Sequence, residues 1–237
     1  GRGTSMSVHL QREIEAMKRS MRHELLNRNT NPEFLAERQL YRALFKNHPY
    51  QKMLYDEEAI KNLNQDEVSL FHYLYYRPNN SLIILTGDLS LQTASRVVSR
   101  HFNLWKRREV NHPLLPAPKP NDKKRICLVD LPGAKEATIY MGNIFSSANS
   151  EDIYPLTVLN QVLGGTTNSR LFMSLRESKG YAYWSFSELV SFKNSRVFMI
   201  KAKVRPEVIY PSLLGVLQEI ETIITQQIPS FEIEQAK

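Results

Sequence analysis

Three side chains stand out for the chemistry they could carry. Glu24 lies in a run whose apolar residues Leu10, Ile14, Met17, Met21 and Leu25 recur at spacings of four, three, four and four, which predicts a helix from about Val8 to Arg28. At 100° per residue, Glu24 falls close in angle to Met17, on the edge of the apolar stripe. A carboxylate there must reach solvent, find a lysine or arginine, or ligate a metal, because an unpaired buried charge is very costly. His23, just before it, invites comparison with the zinc motif His-Glu-x-x-His, but position 27 is Asn27 and the motif fails. Arg176 and Tyr183, seven residues apart, form the second constellation. Arg176 falls near a helix C-terminus, and Gly180 can turn the chain so that Tyr183 enters the next strand. Together they would offer fixed donors to a peptide carbonyl or a developing oxyanion. The plainer reading is a charge that suits a helix end and a strand aromatic.

Other chemistries are excluded more simply. His9, His48, His72, His101 and His112 are scattered without metal-ligand spacing, and neither a phosphate-cradling glycine loop nor a Gly-x-Ser-x-Gly elbow occurs. Cys127 is the single cysteine, so there is no internal disulfide framework and no cysteine-built zinc site. Its neighbours Ile126, Leu128 and Val129 mark it as a buried strand residue.

The elements that must position these residues fall into two blocks. A second helix is expected over Pro32 to Lys46, capped by Thr30 or Asn31, then a loop at Asn47 to Tyr50. Short helices follow at Asp56 to Ile60 and Asn64 to Tyr75, a strand at Ser81 to Thr86, and a helix from Leu91 to Phe102. After Trp105 the prolines Pro113, Pro116, Pro118 and Pro120 mark an exposed connection. Beyond it, Arg125 to Leu131 and Ala137 to Phe145 read as strands. A helix starts at Ser150 and stops at Gly164-Gly165, and a short one runs from Ser169 to Ser178. Tyr181 to Ser191 and Arg196 to Val204 form a hairpin around Lys193-Asn194-Ser195. Pro206 opens a long helix to Ile228, and Phe231 to Lys237 begin another. The expected class is α+β: two related half-domains with mostly antiparallel sheets packed by helices. Residues 1–112 form the first, 113–124 the linker and 125–237 the second.

A chain of 237 residues with 42% hydrophobic and 23% charged content is ordinary for a globular protein with a sizeable core. The net charge of +7 is spread along the chain, dense only at Lys106-Arg107-Arg108 and Lys123-Lys124-Arg125. Neither cluster sits among strand aromatics or on a recognition helix, so nucleic acid is not an expected partner. No apolar run approaches the length of a membrane span.

The segments together resemble the pitrilysin/insulinase family of zinc metallopeptidases, which includes the mitochondrial processing peptidases and the bc1 core proteins. The resemblance rests on Leu40-Tyr-Arg-Ala-Leu-Phe45 with His48-Pro-Tyr50, on Tyr75-Tyr-Arg-Pro-Asn79 leading to Leu82-Ile-Ile-Leu-Thr-Gly-Asp88, and on Leu163-Gly-Gly through Ser169-Arg-Leu-Phe172 to Leu175-Arg-Glu-Ser-Lys-Gly-Tyr-Ala-Tyr183. It implies that Glu24 occupies the place of the third zinc ligand, and that Arg176 and Tyr183 match the substrate-binding arginine and tyrosine. It also implies zinc as cofactor, unfolded or extended peptides as substrate, a homodimer or a heterodimer with a family partner, and a soluble setting in a bacterial cytoplasm or periplasm. The family's His-x-x-Glu-His is absent from these residues, so no catalytic set is complete here. The expected function is part of a zinc-dependent endopeptidase with that motif outside the chain. The alternative is a non-catalytic substrate-binding or assembly subunit of the same family.

Overall fold

The computed structural model describes residues 2–119, 123–145 and 151–237, with side chains described from residue 10 onward. The chain folds as two compact units, Gly1–Arg22 with Glu57–Leu114, and His23–Asp56 with Leu115–Lys237.

The first unit takes in most of α1 (Arg2–Arg28) together with α3 (Glu57–Asn62), α4 (Gln65–Tyr75) and α5 (Leu91–Phe102). Its helices start where the sequence offers caps. The Asn64 side chain accepts from the Glu67 amide, and the Ser90 hydroxyl from the Thr93 amide. Ile14 and Ile60 are buried. Lys18 is held by its ammonium, which donates to the carbonyls of Leu63 at 2.9 Å and Lys61 at 3.3 Å. Much of the remaining apolar surface is open, including Leu70, Phe71, Leu74, Leu82 and Ile84.

The expected strand at Ser81 to Thr86 is not formed, and neither is the one at Arg125 to Leu131. Both segments are β-branched and apolar, but a strand exists only in a ladder, and neither has a hydrogen-bonded neighbour among the described residues. Leu82 and Ile126 are accordingly 84% and 91% exposed. Cys127 is exposed as well, not a buried strand residue.

The second unit holds the sheet. Strands β1 (Ala137–Phe145), β2 (Ala182–Phe192) and β3 (Ser195–Val204) are antiparallel in the order β1-β3-β2. The period of two sends Ile200, Ala202 and Val204 to one face and Val197, Met199, Lys201 and Lys203 to the other. Against the first face pack α6 (Ile153–Asn160), α7 (Arg170–Phe172) and α8 (Ile209–Thr225), the first two continued by π-helical turns at Gln161–Gly165 and Met173–Ser178. Leu163, Leu171, Leu175 and Val216 close this core. The expected start of α6 at Ser150 lies outside the described residues, and the helix begins after Asp152. On the second face lies α2 (Pro32–Leu44), capped by Asn31, whose side chain accepts from the Glu33 and Phe34 amides. Tyr41, Leu44 and Phe45 meet Ile144, Val197 and Met199 there.

An aromatic cluster ties the end of α2 to β2. The rings of Phe45, Tyr50 and Phe192 lie 4.8–5.3 Å apart, within the range of favourable aromatic pairs. His48 beside them is a structural group. Its Nδ1 accepts from the Tyr50 amide at 3.2 Å, so Nε2 carries the proton and donates to the Pro116 carbonyl at 2.9 Å. The proline-rich stretch is thereby fastened to the fold at Pro116. At the other end α9 (Ser230–Ala236) is held by the Arg170 guanidinium, which donates to both oxygens of Glu232 at 2.7 and 3.1 Å.

The stretch Pro206–Thr225, which contains α8, is long and apolar enough by length and composition to cross a membrane. Here Ser212, Gly215 and Val216 are buried, and a Cβ at Gly215 would come within 2.7 Å of Leu175. One face of α8 thus packs closely against the fold, while Tyr210, Leu214, Leu217 and Ile224 on the helix are exposed.

Candidate functional site

Glu24 sits in the last turns of α1 with half its side chain exposed. Both carboxylate oxygens are engaged: Oε1 lies 2.6 Å from the Arg28 guanidinium one turn on, and Oε2 accepts from the Tyr55 hydroxyl at 3.0 Å. Arg28 is steadied in turn over the Phe34 ring, 5.5 Å from its centroid. Burial first, and then the bond to Glu24, pushes the Tyr55 phenol above its ordinary value. Among the described residues no group of three or more His, Cys, Asp or Glu side chains could hold a metal. Glu24 is one carboxylate, its oxygens satisfied by a cation and a phenol, so these residues do not by themselves make a zinc site.

Arg176 and Tyr183 flank a tight reversal. Arg176 lies in the π-helical turn Met173–Ser178, its guanidinium 4.9 Å from the Phe172 ring centroid and 3.6 Å from Glu177. The turn closes when the Gly180 amide donates to the Arg176 carbonyl and the Tyr181 amide to that of Leu175. Gly180 has φ +62°, the left-handed conformation glycine adopts without penalty. The expected turn is therefore where the sequence places it. No hydrogen bond or ring contact joins Arg176 to Tyr183; each stands about half exposed.

Tyr183 owes its exposure to an irregularity that no residue pattern announces. Ala182 pairs with Val204 and Trp184 with Lys203, so Tyr183 is the extra residue of a β-bulge. A bulge leaves its added residue out of the ladder and re-aims the side chain. Ala182 thus stays in the core and Tyr183 points away from it.

The sequence reading missed a cleft of about 570 Å³ in the same unit, floored by Tyr140, Lys201, Trp184 and Phe186 and rimmed by Glu33, Glu188 and the Asn160–Gly165 segment. Lys201 pairs with Glu188 at 2.7 Å, and Lys203 with Glu136 at 2.6 Å and Glu33 at 3.6 Å. Burial, reinforced by Glu37, Glu33 and Glu188, raises the Tyr140 phenol far above its ordinary value near 10; burial and Glu37 do the same to Tyr41. Period-two alternation could have grouped Trp184, Phe186 and Glu188 on one face. Glu33 was invisible, because only tertiary packing sets α2 over that face.

The raised phenols carry a stability consequence. Above pH ~10 the unfolded chain's tyrosines ionise while Tyr41 and Tyr140 in the fold stay protonated, so the unfolded state binds fewer protons and stability falls as pH rises. Below that pH their contribution is complete. The variant carrying Tyr41→Phe and Tyr140→Phe is expected to shift the alkaline unfolding transition upward, measured by circular dichroism against pH. An unchanged midpoint would show that these phenols do not contribute.

Residues 62–237 match the family profile described as peptidase M16 inactive domain. The uncharacterized zinc protease YmxG of Bacillus subtilis is 26% identical over 230 residues, covering 95% of this chain and 54% of its own length. A peptidase M16 inactive domain from Pseudomonas fluorescens superposes with a TM-score of 0.85 at 22% identity, over 94% of this chain and 54% of that one. A protease from Helicobacter pylori gives a TM-score of 0.87 at 21% identity, over 95% and 56%. The chain spans about half the length of the curated relatives it matches. With the profile covering well over half of its residues, the chain belongs to the peptidase M16 family, the zinc metallopeptidases its motifs resemble, through that family's inactive domain.

Proposed function

We propose that this chain is part of a zinc-dependent endopeptidase acting on unfolded or extended peptides, with the His-x-x-Glu-His set supplied from outside these residues. The observation that carries the reading is the presentation of Arg176 and Tyr183. A π-helical turn, a left-handed glycine and a bulge hold two donor side chains in the open, and neither serves the core. Exposed, locally rigid donors are what a peptide carbonyl requires. An extended substrate adds backbone hydrogen bonds to a sheet edge and so is selected for lack of structure more than for sequence. In this reading Glu24 exchanges its bond to Arg28 for a metal completed by outside histidines; zinc, when bound, supplies a Lewis acid and an activated water.

A second reading is a non-catalytic substrate-binding or assembly subunit that lends Arg176 and Tyr183 to a zinc-bearing partner, as homodimer or heterodimer. The Arg28–Glu24–Tyr55 arrangement favours it, because those bonds already satisfy the carboxylate.

The test is hydrolysis of a quenched unstructured peptide by the full-length protein, with and without chelator, beside Glu24→Gln and Arg176→Ala. The peptidase reading expects chelator-sensitive cleavage, reduced by about three orders of magnitude or more in Glu24→Gln and by about 10²–10³ in Arg176→Ala, the cost of one transition-state donor. Well-folded protein without zinc and without cleavage would sink the self-sufficient enzyme and leave the partner subunit.

A further inference from the structure

We propose that the cleft between the Trp184–Phe186 stretch of β2 and the start of α2 binds a guanidinium side chain of an extended peptide. The proposal deepens the peptide-binding reading above, naming a preference for basic side chains at a place distinct from Arg176 and Tyr183.

The shape comes first. Tyr140, Lys201 and Phe186 lie side by side across the three strands, since Tyr140 and Phe186 both pair with Lys201. Trp184 and Phe186, two residues apart on β2, lie nearly parallel, their planes 21° apart and centroids 6.3 Å apart. Both are only partly buried. A flat aromatic floor at the bottom of an open cleft suits a planar cation, which stacks on ring faces with little loss of hydration.

Charge points the same way. Glu33, Glu37, Glu136 and Glu188 converge on this face, and the two lysines among them, Lys201 and Lys203, leave an excess of two negative charges. This happens on a chain whose net charge is +7. The phenols of Tyr41 and Tyr140 register the same negative field: beyond burial, Glu37 and Glu188 hinder the ionisation of both, and Glu33 that of Tyr140. The cleft therefore favours a third cation over an anion or a neutral group.

The donor and acceptor census narrows the choice. The rim carries two carboxylates, Glu33 and Glu188, which accept hydrogen bonds and donate none. A guanidinium carries five donors and no acceptor, the complement of such a rim. An acidic side chain would meet like charge on both walls, and an apolar one would strip water from carboxylates without replacing its hydrogen bonds.

The test uses this chain with blocked tripeptides, acetyl-Gly-Arg-Gly-amide against its citrulline counterpart, which keeps the shape and removes the charge. Binding is read from the fluorescence of Trp184, with Trp184→Phe separating it from Trp105. The arginine peptide is expected to bind about tenfold more tightly than the citrulline one, and Glu33→Gln and Glu188→Gln are each expected to remove most of that preference. Circular dichroism confirms that both variants fold. Equal affinity for the two peptides, a preference for acetyl-Gly-Glu-Gly-amide, or a preference for arginine unchanged in both variants would each overturn the proposal. Because the assay needs neither zinc nor cleavage, its failure leaves the peptidase reading untouched, and loss of cleavage in the full-length protein leaves this one standing.

Discussion

Gly164→Ala is expected to destabilise the second unit by about 3 kcal/mol, the upper part of the range for overpacking a tight site. A Cβ there would stand 2.4 Å from the Ser187 amide nitrogen and 2.8 Å from the Ser187 Cβ. These atoms belong to β2, which is paired along its length with β3, so relief would require the strand itself to move. Gly165→Ala is the internal control. Its Cβ would approach the Gln161 side-chain oxygen at 2.3 Å, but that is the end of a flexible side chain and can swing aside. Thermal unfolding should show a midpoint lower by roughly 6–12 °C for Gly164→Ala and by a few degrees at most for Gly165→Ala. Equal shifts would mean that the π-helical turn, not β2, absorbs the added methyl.

Leu175→Ala is expected to cost about 3–4 kcal/mol, since Leu175 is fully buried beneath α8 and its loss leaves a cavity. Gly215→Ala should cost about 1–2 kcal/mol. Its Cβ would meet the Leu175 Cδ2 at 2.7 Å, and the better helix propensity of alanine returns part of that strain. The double variant is the informative one. With Leu175 shortened, the Gly215 methyl enters the space it vacates, so the two changes together should cost less than their separate costs summed, by about 1 kcal/mol or more. Denaturant unfolding of the three variants measures this directly, and strict additivity would deny that the residues share one packing site. Leu175 also precedes Arg176, and its carbonyl receives the Tyr181 amide that closes the turn. The same variants should therefore loosen the arginine.

Much of this architecture was legible in residue order because local signals agreed with tertiary ones. The Asn31, Asn64 and Ser90 caps begin helices where a side-chain oxygen meets free amides, and β1 ends at the residues its apolar run predicts. The failures at Ser81 to Thr86 and Arg125 to Leu131 share one cause. Apolar, β-branched residues express readiness to join a sheet, and only a hydrogen-bonding neighbour makes that readiness a strand. At the candidate site, the sequence placed Arg176, Gly180 and Tyr183 around a turn, as observed. It could not show that Glu24 is met by both Arg28 and Tyr55, because Tyr55 is 31 residues away and reaches it only through the fold. The cleft was hidden for the same reason, its floor drawn from three strands and its rim from a helix distant in sequence.

The bulge at Tyr183 bears on how this surface can change over time. A strand tied by period-two alternation cannot ordinarily gain or lose a residue without turning its core side chains into water. Because the extra residue is already accommodated between Ala182 and Trp184, shortening β2 at that point restores regular pairing and moves neither neighbour to the wrong face. Position 183 is thus a place where the chain tolerates exchange or deletion without repacking, and the tyrosine there answers to what approaches from outside the fold.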